Sequence, residues 1–231
     1  MKKTILLSSI LAVGAAFAVT VDSTEIGVLG IDKPTANADL IAVPFEGYDA
    51  ANITVADMVN TAELEVGTEL YVPNASGKYD VWTLGSDRKW TNTVNNVVIG
   101  NGGATEGSGP DAAAVTTTRG SAFWLKPPSA GAAVGTCYLL GKPVSGTGSS
   151  ALESGKWNLV GNTAGVTNAV PVGMEGEKVC VPNAAGGLTT YTVRNNGWLN
   201  GRTSGCTVAI PPGQGFWYLS KGTSSISWGN D

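Results

Sequence analysis

The chain contains no histidine. That absence removes the usual general base at neutral pH, the commonest transition-metal ligand, and any Ser-His-Asp or Cys-His nucleophile. Charge is also scarce: 14 % of residues are charged, and no cluster of Lys and Arg occurs. Since affinity for nucleic acid is largely a matter of phosphate neutralisation, nucleic acid is not an expected partner. Only Cys137, Cys180 and Cys206 carry thiols, at spacings that match no zinc or redox motif. No Asp-x-Asp-x-Asp run supplies a calcium loop. The Gly-rich segment Gly100 to Gly109 lacks the Lys-Ser/Thr ending and the following helix that a phosphate loop needs. Neither a metal nor a cofactor is expected.

Long apolar runs are missing everywhere except at the start. Lys2 and Lys3 precede a mostly apolar stretch from Ile5 to Phe17, and Ala16-Phe17-Ala18 forms an A-x-A cleavage site. The stretch is shorter than the roughly 18 to 20 residues of a spanning helix, so residues 1–18 read as a signal peptide cut after Ala18. Cleavage would remove Lys2 and Lys3 from fourteen basic residues set against eighteen acidic ones, making the product more acidic than the full chain's −4. The expectation is an exported protein, extracellular or at the cell surface, with the periplasm as the alternative and no integral membrane segment after cleavage.

What the sequence has in abundance is glycine, with 32 residues, together with Thr, Ser, Asn and an internal repeat. Val72-Pro73-Asn74-Ala75 recurs as Val181-Pro182-Asn183-Ala184, and at the same offset Trp82 and Leu84 meet Tyr191 and Val193. Trp90-Thr91-Asn92 then pairs with Trp198-Leu199-Asn200, and Phe123-Trp124-Leu125 with Phe216-Trp217-Tyr218. The order is kept while the offset shrinks, which locates an insertion near 100–118 in the first copy. Leu40 to Pro44 stands in the place of Trp157 to Gly161 as the opening strand. Within each copy the apolar residues alternate with period two, as a half-buried strand requires, and the Val-Pro-Asn segments read as hairpin turns. A short helix after Thr54, with Asp57 in a capping box, is the one helical expectation. The predicted fold is all-β: two tandem divergent copies of a small antiparallel sandwich or barrel-like unit. The first spans 19–143, and a linker with the second unit spans 144–231, Val144 to Ser150 being the linker candidate.

The succession of a Trp-Asn-Leu-Val opening strand, a Val-Pro-Asn turn, an aromatic strand, a lone Trp and a closing Gly-Phe-Trp-Tyr resembles a group of uncharacterised secreted bacterial proteins of repeated β-units. The similarity is clearest over Lys156 to Trp228, including Pro211 to Tyr218. It implies fold and export, and it assigns no activity and no functional residue.

Two features remain as candidate sites. Trp90 and Trp198 each sit alone among polar turn residues, which makes them candidate ligand contacts, flat platforms for a sugar or anchors for a partner protein. Cys180 and Cys206 are the candidate disulfide, both confined to the second copy and both without a cysteine counterpart in the first, leaving Cys137 as the thiol outside the bond. Without histidine, hydrolysis would have to rest on paired carboxylates, from Glu63, Glu65, Glu69, Asp80 and Asp87 or from Glu175 and Glu177. A Ser-Lys pair is also conceivable from Ser154 and Lys156, whereas Ser220 and Lys221 are poorly placed because adjacent strand residues point to opposite faces. The first expectation is a non-catalytic exported structural or interaction protein, a surface-layer, filament or adhesion component that associates with itself or with other surface proteins. The second is a glycan-binding module using exposed Trp. The third is a histidine-free carboxylate hydrolase.

Overall fold

The computed structural model describes residues 27–32, 38–46, 52–54, 58–74, 78–92, 97–99, 105–106, 116–128, 136–143 and 148–228. The proposed signal peptide and much of the expected insertion lie outside them. The chain folds as antiparallel β-sheets. Its first half supplies β1 (Gly27–Asp32), β2 (Asp39–Ala42), β3 (Asn52–Thr54), β4 (Val59–Asn60), β5 (Glu69–Pro73) and β6 (Tyr79–Leu84). There follow β7 (Trp90–Asn92), β8 (Val97–Ile99), β9 (Thr105–Glu106), β10 (Thr116–Thr118), β11 (Ala122–Lys126) and β12 (Thr136–Gly141). The second half supplies β13 (Gly148–Ala151), β14 (Trp157–Gly161), β15 (Asn168–Ala169), β16 (Lys178–Pro182) and β17 (Leu188–Arg194). It ends with β18 (Gly197–Asn200), β19 (Thr203–Cys206), β20 (Ala209–Ile210), β21 (Gly215–Leu219) and β22 (Ser225–Trp228). The expected helix after Thr54 falls on residues 55–57, which lie outside the described residues, between β3 ending at Thr54 and β4 beginning at Val59.

The two large sheets have the same strand order over six strands. One runs β2-β11-β5-β6-β7-β8, extended by β9, and the other β14-β21-β16-β17-β18-β19. Registers agree as well: Tyr71 stands opposite Trp124, and Cys180 stands opposite Trp217. In the opening strands Ala42 faces Ala122 and Gly161 faces Gly215. Gly161 thus takes the place of Ala42, where the sequence alignment set it against Pro44. Each remaining ladder likewise joins strands from one side of residue 144 only, β1 and β4 with β12, β3 with β10, β13 with β22 and β15 with β20.

Local chemistry accounts for the turns. Between β16 and β17, Asn183 Oδ1 accepts the N–H groups of Ala185 and Gly187, an Asx turn that closes the hairpin without help from the rest of the chain. Between β17 and β18 only Asn195 and Asn196 intervene, at φ of 50° and 59°, the left-handed pair that a tight two-residue hairpin demands and asparagine tolerates. That turn sets Trp198 directly opposite Val193.

Alternation then sorts the side chains. Leu70, Val72, Trp82, Leu84, Trp90, Phe123 and Leu125 bury one face of the first sheet, joined by Cys137 and Leu139 of β12. Val160, Val179, Val193, Trp198, Phe216, Tyr218 and Trp228 form the second core. Trp198 meets Tyr218 edge-on at 6.3 Å, and Phe216 meets Trp228 edge-on at 5.7 Å, the arrangement that aromatic quadrupoles favour.

The two halves meet through reciprocal backbone bonds. Ala42 N–H of edge strand β2 donates to Gly213 O at 2.8 Å, and Gly161 N–H of edge strand β14 donates to Gly120 O at 2.9 Å. Gly120 and Gly213, each just ahead of a closing strand, both have positive φ, 89° and 72°. Glycine and alanine let the backbones approach closely at this junction. A Cβ placed on Gly161 would lie 2.4 Å from Ala42 Cβ and 2.5 Å from Ser121 O, too close for any real contact. Ser150 Oγ adds a third tie by donating to Gly120 O at 2.9 Å.

Candidate functional site

Neither Trp90 nor Trp198 is a surface platform. They are 2 % and 1 % exposed, each inside the core of its own half. The polar residues around Trp198 are the turn itself. Because the two-residue loop pairs Trp198 with Val193, its side chain must enter the face that Val193 buries, where its indole N–H donates to Val170 O at 3.1 Å. The ligand-contact expectation for both residues is therefore corrected to core packing.

The Cys180–Cys206 disulfide is likewise corrected, since no disulfide joins the cysteines. Two strands, β17 and β18, separate β16 from β19. Three strand spacings amount to about 14 Å, twice the Cα separation a disulfide can span. Cys180 also alternates with the buried Val179 and Val181 and so points away from the core, whereas Cys206 pairs with Trp198 and packs against it. Cys180 Sγ instead lies 3.2 Å from Thr190 Oγ1, and Cys137 is buried in the first core.

The carboxylates proposed for acid–base work are dispersed. Glu69 is paired with Lys126 at 2.7 Å and accepts from Tyr71 Oη, and the lysine's hydrogen bond, followed by the tyrosine's, holds its carboxyl below the ordinary value. Asp80 accepts from Asn74, Asp87 caps Lys89 N–H, and Glu63 and Glu65 are exposed. Glu175 is held by Arg194 and the Asn195 N–H. Lys156 is paired with Glu153.

Glu177 differs from all of these. It is 0 % exposed and takes part in a dense hydrogen-bond cluster. Its Oε2 accepts from Tyr218 Oη at 2.6 Å, Thr223 Oγ1 at 2.8 Å and Met174 N–H at 2.9 Å. Its Oε1 accepts the backbone N–H groups of Lys221, Gly222 and Thr223 at 2.8, 3.2 and 3.0 Å. Burial pushes the carboxyl's pKa up, but the bonds from Tyr218, Lys221 and Thr223 outweigh it and bring it down to about 2. Burial, and then the bond to this anion, raise the Tyr218 phenol. The corresponding position in the first sheet is Thr68, whose carbonyl accepts from Leu84 as that of Glu177 does from Val193, and whose hydroxyl closes a local turn on Glu65 O. With every lone-pair direction committed, Glu177 anchors the loop from Ser220 to Thr223.

The surface feature that sequence reasoning missed is on the outer face of the second sheet. Trp157 of β14 is 45 % exposed and Leu188 of β17 is 44 % exposed. With Trp217 and Cys180 they line an open depression of about 340 Å³. Leu159 and Leu219, half-buried, complete the same face. The matching face of the first sheet is closed with polar groups: Trp124 donates its indole N–H to Tyr79, Lys126 sits 5.9 Å above the Tyr71 ring, and Glu69 ties Lys126 to Tyr71. Trp157 was legible as part of an opening strand. Because Trp157, Leu159 and Val160 are all apolar, however, the alternation did not tell which face looked outward.

Among the described residues no group of three or more His, Cys, Asp or Glu could hold a metal ion, and no helix is long and apolar enough to cross a membrane. Compared with protein-family models, curated proteins and solved structures, the chain matches none.

Proposed function

We propose that the chain is an exported, non-catalytic interaction protein made of two divergent copies of one β-unit, and that it engages its partner through the face carrying Trp157. The observation that carries this reading is the apolar set on one sheet face, the exposed Trp157 and Leu188 beside the half-buried Trp217 and Cys180. Large apolar side chains left in water around a preformed depression are what a binding hot spot requires. The N-terminal Lys-Lys, apolar run and Ala-Phe-Ala site support export, and the shared strand order of the two large sheets supports duplication.

The test is binding of purified mature protein to the surface of the cells that export it. Trp157→Ala should weaken it about thirtyfold, the loss expected for a Trp anchor worth about 2 kcal/mol, while leaving the melting temperature unchanged. Binding that is equal in the two proteins refutes the reading. Competition by a soluble saccharide would move the assignment to the glycan-binding alternative, in which Trp157 is the stacking platform.

A further inference from the structure

We infer that the Trp157 face is a self-association surface, pairing two copies of the chain face to face. The inference rests on the interaction reading above and names its partner. Strand alternation puts Trp157, Leu159, Trp217, Leu219, Cys180 and Leu188 outward together, across four adjacent strands. Apart from Lys178 and the ion-paired Arg194, this face bears no charge.

Three observations select a second copy as the occupant. First, the same sheet face already packs this way within the chain: Gly161 and Gly215, next in line after Leu159 and Trp217, lie against Ala42 and Ala122 on the equivalent face of the other sheet. The open apolar surface is thus continuous with an existing sheet-on-sheet contact. Second, the depression itself is lined almost wholly by apolar groups, Trp157, Cys180, Leu188 and Trp217. The Thr190 hydroxyl is engaged with Cys180, and the rest of the lining offers indole N–H donors but no acceptor, so the hydroxyls of a sugar would gain few bonds for the water they lose. Third, the area fits. Four strands, less the end already covered at Gly161 and Gly215, leave a face on the order of 250 Å² in projection and roughly twice that in accessible surface, so two copies would bury about 1,000 Å², the lower end for specific association. The pair should therefore be reversible and concentration-dependent. Both copies are acidic, the full chain carrying a formal charge of −4 and the mature product more, so added salt should strengthen the pairing by screening, the opposite of its effect on a basic partner.

Sedimentation of mature protein from about 1 µM to about 1 mM should show a monomer–dimer equilibrium that Trp157→Asp and Leu188→Asp each weaken by at least about tenfold. In a Cys206→Ser background, a short bismaleimide should join Cys180 to Cys180 between copies, and Cys180→Ser should abolish the product. Circular dichroism melts show whether each variant is folded, and two substitutions on separate strands guard against the loss of one. A monomer throughout the range, or a dimer that both variants leave intact, overturns the inference. If the protein stays monomeric while Trp157→Ala still abolishes cell-surface binding, self-pairing is wrong and the interaction reading stands. If neither is affected, both fall.

Discussion

Replacing Glu177 by glutamine keeps the shape of the side chain and removes its charge. In the folded protein the carboxyl titrates near about 2, against an ordinary value of 4.5. At 1.36 kcal/mol per pH unit the difference corresponds to about 3 kcal/mol of stability. The sign follows from the direction: a carboxyl held below its unfolded value contributes fully above about pH 4.5 and loses that contribution as pH falls towards 2. Glutamine would place its amide at the Oε2 position, where the Tyr218 and Thr223 hydroxyls can turn to accept, leaving Met174 N–H as the one donor facing a donor. The alternative orientation would oppose three backbone N–H groups. Denaturant unfolding of wild type and Glu177→Gln should therefore differ by about 3 kcal/mol at pH 7, with the gap closing between about pH 4.5 and 2. Parallel stability curves across that range, or equal stability at neutral pH, would refute the argument. Local proteolysis at Ser220 to Thr223 in the variant, absent from wild type, would locate the damage in the loop that the carboxylate holds.

Gly161→Val should destabilise the protein by at least about 2 kcal/mol, measured by denaturant midpoint, because its side chain has no space beside Ala42 and Ser121. Trp198→Ala should cost about 3 to 5 kcal/mol as a core cavity and an orphaned Val170 carbonyl, an effect on stability before any on binding. Thiol titration should find no disulfide: the half-buried Cys180 and Cys206 should label in the native protein, and Cys137 only after unfolding. Mass spectrometry of exported material should find Val19 as the first residue; an intact Met1 in a mature soluble fraction would overturn the signal-peptide reading.

How far the sequence could be read depended on whether the information was local. The hairpins at Asn74 and Asn183 were legible because the turn chemistry and the flanking alternation lie within ten residues, and the structure pairs Pro73 with Tyr79 and Pro182 with Leu188. The burial of Trp198 could have been found by the same means. Asn195-Asn196-Gly197 is a two-residue hairpin signal, and it forces Trp198 opposite Val193. The buried valines beside Cys180 carried similar news, since a cysteine between two inward residues must face out. Glu177 was out of reach. Five of its donors come from Tyr218 to Thr223, more than forty residues away, and nothing near it in the chain differs from an ordinary surface glutamate.

The reciprocal bonds at the junction have a consequence for how the protein comes apart. β2 and β14 are the outermost strands of their sheets, and each is covered by the other half, Ala42 on Gly213 and Gly161 on Gly120. Were one half to melt before the other, it would uncover in the survivor a strand edge with donors and acceptors unmet, the kind of edge that recruits other chains. The halves therefore cover one another's edge strands, and damage confined to one of them would leave in the other a strand edge open to pairing with a further chain.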